Sequence, residues 1–237
     1  MNQQDNSSEY SIDYKSLGEK IHLLTKNEDV MQWDIGASCS KDHSVQVDKG
    51  QAKQLKGSQR STVTVRVWNK QGLVGTTSTS DISELGLTKA FEGAYQASKY
   101  GNANDIPNFS PLAKAELPKI NKPVLEFIGI KKLLNILKSA EEELLNMHRS
   151  IKTVPYNGLA ETIFERVYIN SEGALRKMKS SQASLYLYAR AEDDGGKPRS
   201  SGSVRLANGV NQLDITSCIK EAASRTISHL NYKPIET

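Results

Sequence analysis

Four segments of the chain carry apolar residues at spacings of three and four, a pattern that predicts amphipathic helices. The first starts near Tyr14, and the second starts at residues 81–84, where Asp81 is an N-cap candidate. The third covers about Ile130 to His148, and the fourth about Asp214 to Leu230. The predicted buried stripes are Tyr14, Leu17, Ile21 and Leu24; Leu87, Ala90, Phe91, Ala94 and Ser98; Ile130, Leu133, Leu134, Leu137, Ala140, Leu144 and Leu145; and Ile215, Cys218, Ile219, Ala222, Thr226 and Leu230.

Between these helices apolar residues recur at every second position, which is typical of strands with one covered face. The clearest strand is residues 61–68, where Val63, Val65 and Val67 alternate with other side chains and β-branched residues dominate. The remaining predicted strands are residues 33–39, 44–48, 73–80, 163–170, 183–189 and 199–206.

The order of helix, strands and helix occurs twice, at a period of about 120 residues that is too long for a solenoid repeat. Strands clustered between helices favour an α+β fold, built from a duplicated helix–strands–helix unit with a largely antiparallel sheet flanked by helices. The predicted organisation is a flexible N-terminus, a first α/β repeat, a proline-containing connection and a second α/β repeat, at residues 1–12, 13–101, 102–128 and 129–232.

The composition is that of a globular protein, with 37% hydrophobic and 24% charged residues. No apolar run reaches the roughly 20 residues that cross a bilayer, and the polar residues 1–9 do not resemble a signal peptide. We therefore expect a cytoplasmic protein. In that reducing compartment Cys39 and Cys218 are predicted to be two buried thiols rather than a disulfide.

The net charge of +4 raises the question of nucleic-acid binding. Lysine and arginine are, however, spread along the chain and interleaved with acidic residues, as in residues 131–143. A phosphate-binding face requires clustered cations. The charge pattern therefore favours a solvated surface over a nucleic-acid interface.

Side chains suited to metal binding are scattered along the sequence. The four histidines, His22, His43, His148 and His229, are far apart and show no zinc-binding spacing. His148 and His229 lie near predicted helix ends, where an imidazole can bond the last carbonyl groups. A structural role is therefore favoured over metal ligation.

Nucleophile and phosphate-loop motifs are also missing. The serine and threonine run at residues 76–80 is explained as a strand leading into a helix cap. Residues 195–197 resemble a phosphate loop only superficially, because they join two strands and no helix follows to hold an anion. The acidic clusters are interpreted as a solvated helix face at residues 141–143 and as a turn at residues 193–194.

Tyr186 and Tyr188 alternate away from the predicted core. They form either an exposed binding face or a surface covered by the other half of the molecule or by a partner. Taken together, the residues predict no catalytic centre and no metal site within the chain.

Several stretches resemble the TldD/PmbA family, once named modulators of DNA gyrase. Residues 61–84 are similar to the family's "VRV, G, TSD" segment, and residues 167–173 to the "NS-x-G" turn of its second repeat. Residues 212–232 are similar to the helix that closes the family's N-terminal domain. Residues 153–160 and 225–234 resemble the PmbA or TldE side of the family.

The resemblance implies a part of a metallopeptidase complex. Family members have a C-terminal β-rich domain absent from this chain, and TldD-type members bind zinc through a His-Glu-x-x-x-His helix that would follow Thr237. No residue here matches that motif, so no catalytic residue, metal ligand or cofactor is assigned to the chain. Zinc is expected only in a TldD-like catalytic partner.

The implied function is the N-terminal region of a non-catalytic PmbA/TldE-like subunit, which dimerises and helps to enclose unstructured peptides. Its partner would be a TldD-like catalytic subunit or a second copy of the chain. Two alternatives stay open at this point: the N-terminal fragment of an active TldD-type zinc peptidase, and a gyrase- or nucleic-acid-associated modulator.

Overall fold

A computed structural model describes residues 18–19, 21–22, 26, 29–101, 108–116, 124–193 and 196–231. These residues contain six strands, three α-helices with both ends described, and four further helical residues near the start of the described part. The strands are β1 Val30–Asp48, β2 Gln51–Asn69, β3 Val74–Thr79, β4 Ile151–Asn170, β5 Leu175–Ala191 and β6 Arg199–Ala207, and the helices are α1 Glu84–Ser98, α2 Ile130–Asn146 and α3 Ile215–Ser228. Short 3-10 helices cover Pro111–Ala113, Val210–Gln212 and His229–Asn231.

The strands form one antiparallel sheet with the order β3-β2-β1-β4-β5-β6. At one edge β3 pairs with β2 from Val63↔Thr79 to Trp68↔Val74, and at the other β6 pairs with β5 from Ala183↔Ala207 to Ala191↔Arg199. Each half of the chain contributes three consecutive strands followed by a helix. The predicted α+β class with a largely antiparallel sheet is confirmed.

The strands are longer than the sequence pattern indicated. The predicted strands at residues 33–39 and 44–48 are two parts of β1, a single strand of 19 residues. Residues 51–60 and 151–162 were not predicted as strands, but they belong to β2 and β4. Residues 51–57 are exposed at every position, so no alternation marks them.

The predicted helices α1, α2 and α3 are confirmed, with their apolar stripes turned inward. Of the first predicted helix, the structure describes Gly18, Glu19, Ile21 and His22, which are helical, whereas Tyr14, Leu17 and Leu24 lie outside the described residues. No helix in the described ranges is long and apolar enough to span a membrane.

The N-cap of α1 is Ser83. The sequence pattern had suggested Asp81, so that prediction is wrong. The Ser83 hydroxyl accepts a hydrogen bond of 3.1 Å from the Gly86 N–H. The Asp81 carboxylate accepts from the Ser83 N–H at 2.9 Å, and this bonding to Ser83 lowers the pKa of Asp81. Asp81 thus orders the turn that presents the cap, in keeping with the preference of aspartate for such turns.

The chain divides into two compact units, and each unit combines segments from both halves of the sequence. Unit 1 comprises residues 1–40, 59–122 and 164–179, and unit 2 comprises residues 41–58, 123–163 and 180–237. The strands β1, β2, β4 and β5 therefore contribute one part to each unit. The repeat boundaries at residues 13, 102, 129 and 232 stay a prediction.

In unit 1 the helix α1 covers one face of the sheet. Its buried side chains, such as Phe91 and Ala94, pack with Ile35 of β1 and Val65 of β2 in one apolar cluster. Gly75 of β3 makes this contact close, since a Cβ atom there would collide with the backbone of α1.

In unit 2 the helices α2 and α3 cover the sheet. A carboxylate there accepts hydrogen bonds from backbone N–H groups at the start of α2. Leu137 of α2, Ile219 of α3 and Leu185 of β5 belong to the core of this unit. Glu161 accepts hydrogen bonds from the N–H groups of Ile128 and Gly129 at 2.9 and 3.1 Å, where α2 begins without a side-chain cap of its own. A carboxylate at this position complements the helix dipole.

Glu141 is a correction to the predicted solvated helix face. It is buried, and its two carboxylate oxygens accept hydrogen bonds from Lys49 N–H at 3.2 Å and Gly50 N–H at 2.7 Å. Lys49 and Gly50 both have positive φ angles at the turn between β1 and β2. Glu142 and Glu143 are exposed, as the sequence predicted.

Candidate functional site

The face of the sheet opposite α1 in unit 1 carries a polar network. Alternation along the strands buries Ile35 and Val65 beneath α1 and places their neighbours Asp34 and Arg66 on this opposite face. Arg66 donates from Nε to Asp34 Oδ1 at 2.8 Å and from Nη2 to Oδ2. The hydroxyl of Tyr168 on β4 donates to Asp34 Oδ2 at 3.3 Å.

This network fixes three strands to one another through one buried carboxylate. Asp34 is 2% exposed, so its charge requires a partner, and the two-pronged guanidinium supplies one. The hydrogen bonds that Arg66 donates to Asp34 raise the pKa of Arg66, and burial raises the pKa of Tyr168. Both carboxylate oxygens of Asp34 therefore accept hydrogen bonds from Arg66 or Tyr168, and Asp34 is not a free general base.

A groove with a cavity volume of about 480 Å³ lies beside the network on the same face. Its size is within the usual range of ligand-binding pockets, roughly 300–1,000 Å³. The residues that line it are Gly36, Ala37, Ser38, Thr62, Thr64, Arg166, Val167, Tyr168, Arg176, Lys177 and Met178. All of them belong to unit 1.

Gly36 leaves the groove open at its floor. A Cβ atom built on Gly36 meets no atom within 4 Å beyond its chain neighbours, and Gly36 does not have the positive φ that would itself require glycine. Glycine in a strand interior weakens the strand and often marks a place where a ligand or another backbone approaches. Gly36 is the residue that most directly indicates a binding function.

In unit 2 the face of the sheet away from the helices carries two tyrosine rings that each cover a glycine. The Tyr186 ring lies over Gly158, its hydroxyl accepts from Gln46 Nε2 at 2.9 Å, and the Tyr188 ring lies over Gly202. The prediction that both tyrosines point away from the core is confirmed. Tyr188 remains 40% exposed.

The histidines do not converge in the described residues. His43 Nδ1 lies 3.3 Å from Glu161 Oε1, and its ring contacts Phe127 at a centroid distance of 4.5 Å. The His148 ring accepts from Ser150 N–H at 3.1 Å instead of bonding a helix carbonyl, and His229 is the C-cap of α3. Within the described ranges, no three His, Cys, Asp or Glu side chains are grouped as metal ligands.

Both cysteines are free thiols, as predicted, but only Cys218 is fully buried. Cys39 is half-buried in β1, so the prediction of two buried thiols is wrong for that residue. Burial raises the pKa of both thiols, and Glu165 adds to this effect at Cys39. A raised pKa disfavours the reactive thiolate at either position.

The remaining candidates have structural roles. Residues 76–80 lie in and just after β3, where Ser78 exchanges a 2.8 Å hydrogen bond with Thr64 and Thr79 Oγ1 accepts from Asp81 N–H. Asp193 accepts from the Ser150 hydroxyl at 2.8 Å. Gly196 and Lys197 precede β6 and not a helix, and Asp194 and Gly195 lie outside the described residues.

Sequence comparison matches two parts of the chain to one family. Residues 33–98 match the family model described as PmbA/TldA metallopeptidase domain 1, and residues 123–230 match the PmbA/TldA metallopeptidase central domain. None of the curated proteins matches the chain.

Three solved structures have a similar fold at 15–20% sequence identity. A protein described as a modulator of a DNA gyrase from Thermotoga maritima has 20% identity and a TM-score of 0.77, covering 94% of this chain and 50% of its own. One described as a modulator of DNA gyrase from Bacteroides thetaiotaomicron has 15% identity and a TM-score of 0.82, covering 95% and 52%. TldE from Thermococcus kodakarensis has 15% identity and a TM-score of 0.76, covering 89% and 47%.

The sheet with its helices and the two matched domains define a peptidase-related α+β protein. The chain belongs to the TldD/PmbA family. It spans about half the length of the solved structures that it matches.

Proposed function

We propose that this chain is the N-terminal region of a non-catalytic PmbA/TldE-like subunit, which holds an unstructured peptide for a zinc-containing, TldD-like catalytic partner in the cytoplasm. The observation that carries the proposal is the open groove over Gly36 on the exposed sheet face of unit 1. The fold similarity to the Thermococcus TldE supports placing the chain on that side of the family.

The floor of the groove suits an extended peptide. Gly36 lets a backbone or side chain approach the sheet, while Ser38, Thr62 and Thr64 provide hydroxyl groups along two strands. Hydroxyls can donate or accept hydrogen bonds, so they tolerate different peptide sequences.

The network beside the groove would keep its floor rigid when a peptide binds. Asp34 ties β1 to β2 through Arg66 and to β4 through Tyr168. A preorganised site spends less free energy on ordering its own side chains.

Association with a catalytic partner tests the proposal directly. The chain is mixed with a TldD-like chain from the same organism, and the mass of the complex is measured by size-exclusion chromatography with light scattering. We expect a mixed complex and cleavage of an unstructured peptide only when both chains are present. A chain that remains alone at high concentration would contradict the assembly.

A groove variant separates peptide holding from assembly. Gly36→Val should leave the mass of the complex unchanged and slow the cleavage of peptide, because the new side chain occupies the groove. Gly57→Val is the matched control, since Gly57 lies in β2 outside the groove and a Cβ there makes only an ordinary contact with His43. Zinc-dependent cleavage by this chain alone would instead establish the TldD-type alternative.

A further inference from the structure

The groove in unit 1 is lined by cationic and not by acidic side chains. Arg166, Arg176 and Lys177 reach it, and no carboxylate is among its lining residues in the described part of the chain. Lys177 is compensated, because its Nζ lies 3.1 Å from Glu165 Oε1. The charges that matter for a ligand are therefore those of the two arginines.

Neither guanidinium has a carboxylate partner within the described ranges. The Arg166 guanidinium lies 5.1 Å from the centre of the Phe164 ring, a cation–π contact that leaves its charge in place. Arg176 donates from Nη2 to the carbonyl oxygens of Leu112 and Ala115 at 2.7 and 2.6 Å. Carbonyl groups orient the guanidinium but do not neutralise it.

The floor between these charges is largely apolar. Met178, Gly36, Thr62 and Thr64 line it, whereas the buried side chains of Ala37 and Val167 pack in the cluster beneath α1. Met178 is 46% exposed, and its flexible thioether adapts to side chains of different shape.

We propose that the groove selects peptides in which an acidic residue stands beside an apolar one. The carboxylate pairs with the Arg166 guanidinium, and the apolar side chain occupies the space over Gly36 towards Met178. The inference rests on the proposed peptide-holding function and adds the class of peptide that is held.

Two labelled eight-residue peptides that differ only in a central Leu-Glu or Leu-Gln pair test the inference. Their affinities for the whole chain are measured by fluorescence anisotropy at low and at physiological salt. We expect the glutamate peptide to bind about three- to fivefold more tightly, as a partly exposed ion pair allows, with a smaller difference at higher salt.

The variant Arg166→Gln should remove the difference between the two peptides. Arg149→Gln is the matched control because it makes the same change at an exposed residue of unit 2, and it should leave the difference intact. Equal affinities for both peptides in the native chain would overturn the charge selection, as would a preference that survives Arg166→Gln.

The variant Gly36→Val distinguishes peptide binding in the groove from the preference for an acidic peptide. Gly36→Val should lower the affinity of the chain for both peptides, whereas Gly57→Val should leave both affinities unchanged. If Gly36→Val lowers the affinity for both peptides but the native chain binds the two equally, the groove holds peptide and the proposed acidic preference is wrong. If both peptides bind without regard to Gly36, the groove is not the peptide site and both proposals fall.

Discussion

The two units treat glycines on the helix-free face of the sheet in opposite ways. In unit 2, Gly158 and Gly202 lie beneath the rings of Tyr186 and Tyr188. In unit 1, the space above Gly36 is unfilled and opens into the groove. Covering a strand glycine with an aromatic ring is a known way to stabilise a sheet. Unit 2 therefore uses these two glycines for packing, whereas in unit 1 the space above Gly36 stays open.

The largest expected effect is the loss of stability in Gly202→Val. A Cβ there would lie 2.4 Å from the Leu187 carbonyl oxygen and 2.5 Å from Tyr188 Cγ, so backbone as well as ring must move. We expect the free energy of unfolding in urea to fall by about 3 kcal/mol, the upper range for overpacking. A fall below about 1 kcal/mol would show that the Tyr188 ring moves aside easily and that the glycine is not used for packing.

Asp34→Asn should produce the next largest effect. The change keeps the shape of the side chain and removes the charge that holds Arg66. Breaking a buried ion pair costs roughly 3–5 kcal/mol, but half of the Arg66 side chain is exposed, so we expect a loss of about 2 kcal/mol. The measurement is urea unfolding, with Asp42→Asn in unit 2 as a comparison. An unchanged midpoint would mean that the network does not stabilise the groove floor.

Tyr186→Phe is a smaller change that keeps the ring over Gly158 in unit 2 and removes only the hydroxyl. The ring still covers Gly158, but the hydrogen bond from Gln46 is lost, which costs about 1 kcal/mol. Tyr188→Phe is the control, because the Tyr188 hydroxyl has no hydrogen-bond partner in the described residues, and its effect should stay within about 0.5 kcal/mol. Equal effects of the two changes would contradict the distinction.

Gly36→Val should stabilise the chain slightly. Valine restricts the unfolded backbone and favours extended structure, and nothing at this position obstructs the side chain, so a gain of about 0.5 kcal/mol is expected. Thermal unfolding of the native chain, Gly36→Val and Gly202→Val measures this gain and compares it with the loss at Gly202. Destabilisation at Gly36 comparable to that at Gly202 would remove the difference between the two faces.

Alkaline pH should weaken unit 1 through Tyr168. Burial, and to a smaller extent Asp34, raise the pKa of Tyr168 above its ordinary value of 10. The folded state therefore holds a proton that the unfolded state loses, and stability falls as the pH rises above 10 towards the folded pKa. Urea unfolding at pH 8 and above pH 10 should show a smaller fall for Tyr168→Phe than for the native chain; parallel falls would refute the linkage.

Two residues of the groove region carry a signal in the sequence, and their partners do not. Gly36 stands between the alternating apolar positions of the predicted strand at residues 33–39, and Asp34 is a carboxylate in the same strand. A strand glycine signals a close approach of another group, and a strand carboxylate signals a paired charge. The partners Arg66 and Tyr168 follow 32 and 134 residues later, and no spacing rule connects them.

The elements that bury one face could be predicted from the sequence. Helices α1, α2 and α3 and the alternating parts of the strands were predictable because burial imposes a period of 3.6 or 2 on apolar residues. Segments without that signal were missed: residues 51–57 are exposed throughout, and β4 contains Pro155 and Gly158 among irregularly buried residues.

Which glycine stays open and which carboxylate is buried in hydrogen bonds could be seen only in the folded chain. Gly36, Gly158 and Gly202 look alike in the sequence, and Glu141 looks like its solvated neighbours. Their roles depend on what lies above them: open space, a tyrosine ring, or the two N–H groups of a hairpin turn. Those neighbours come from distant strands, so their identity is set by strand pairing and not by local sequence.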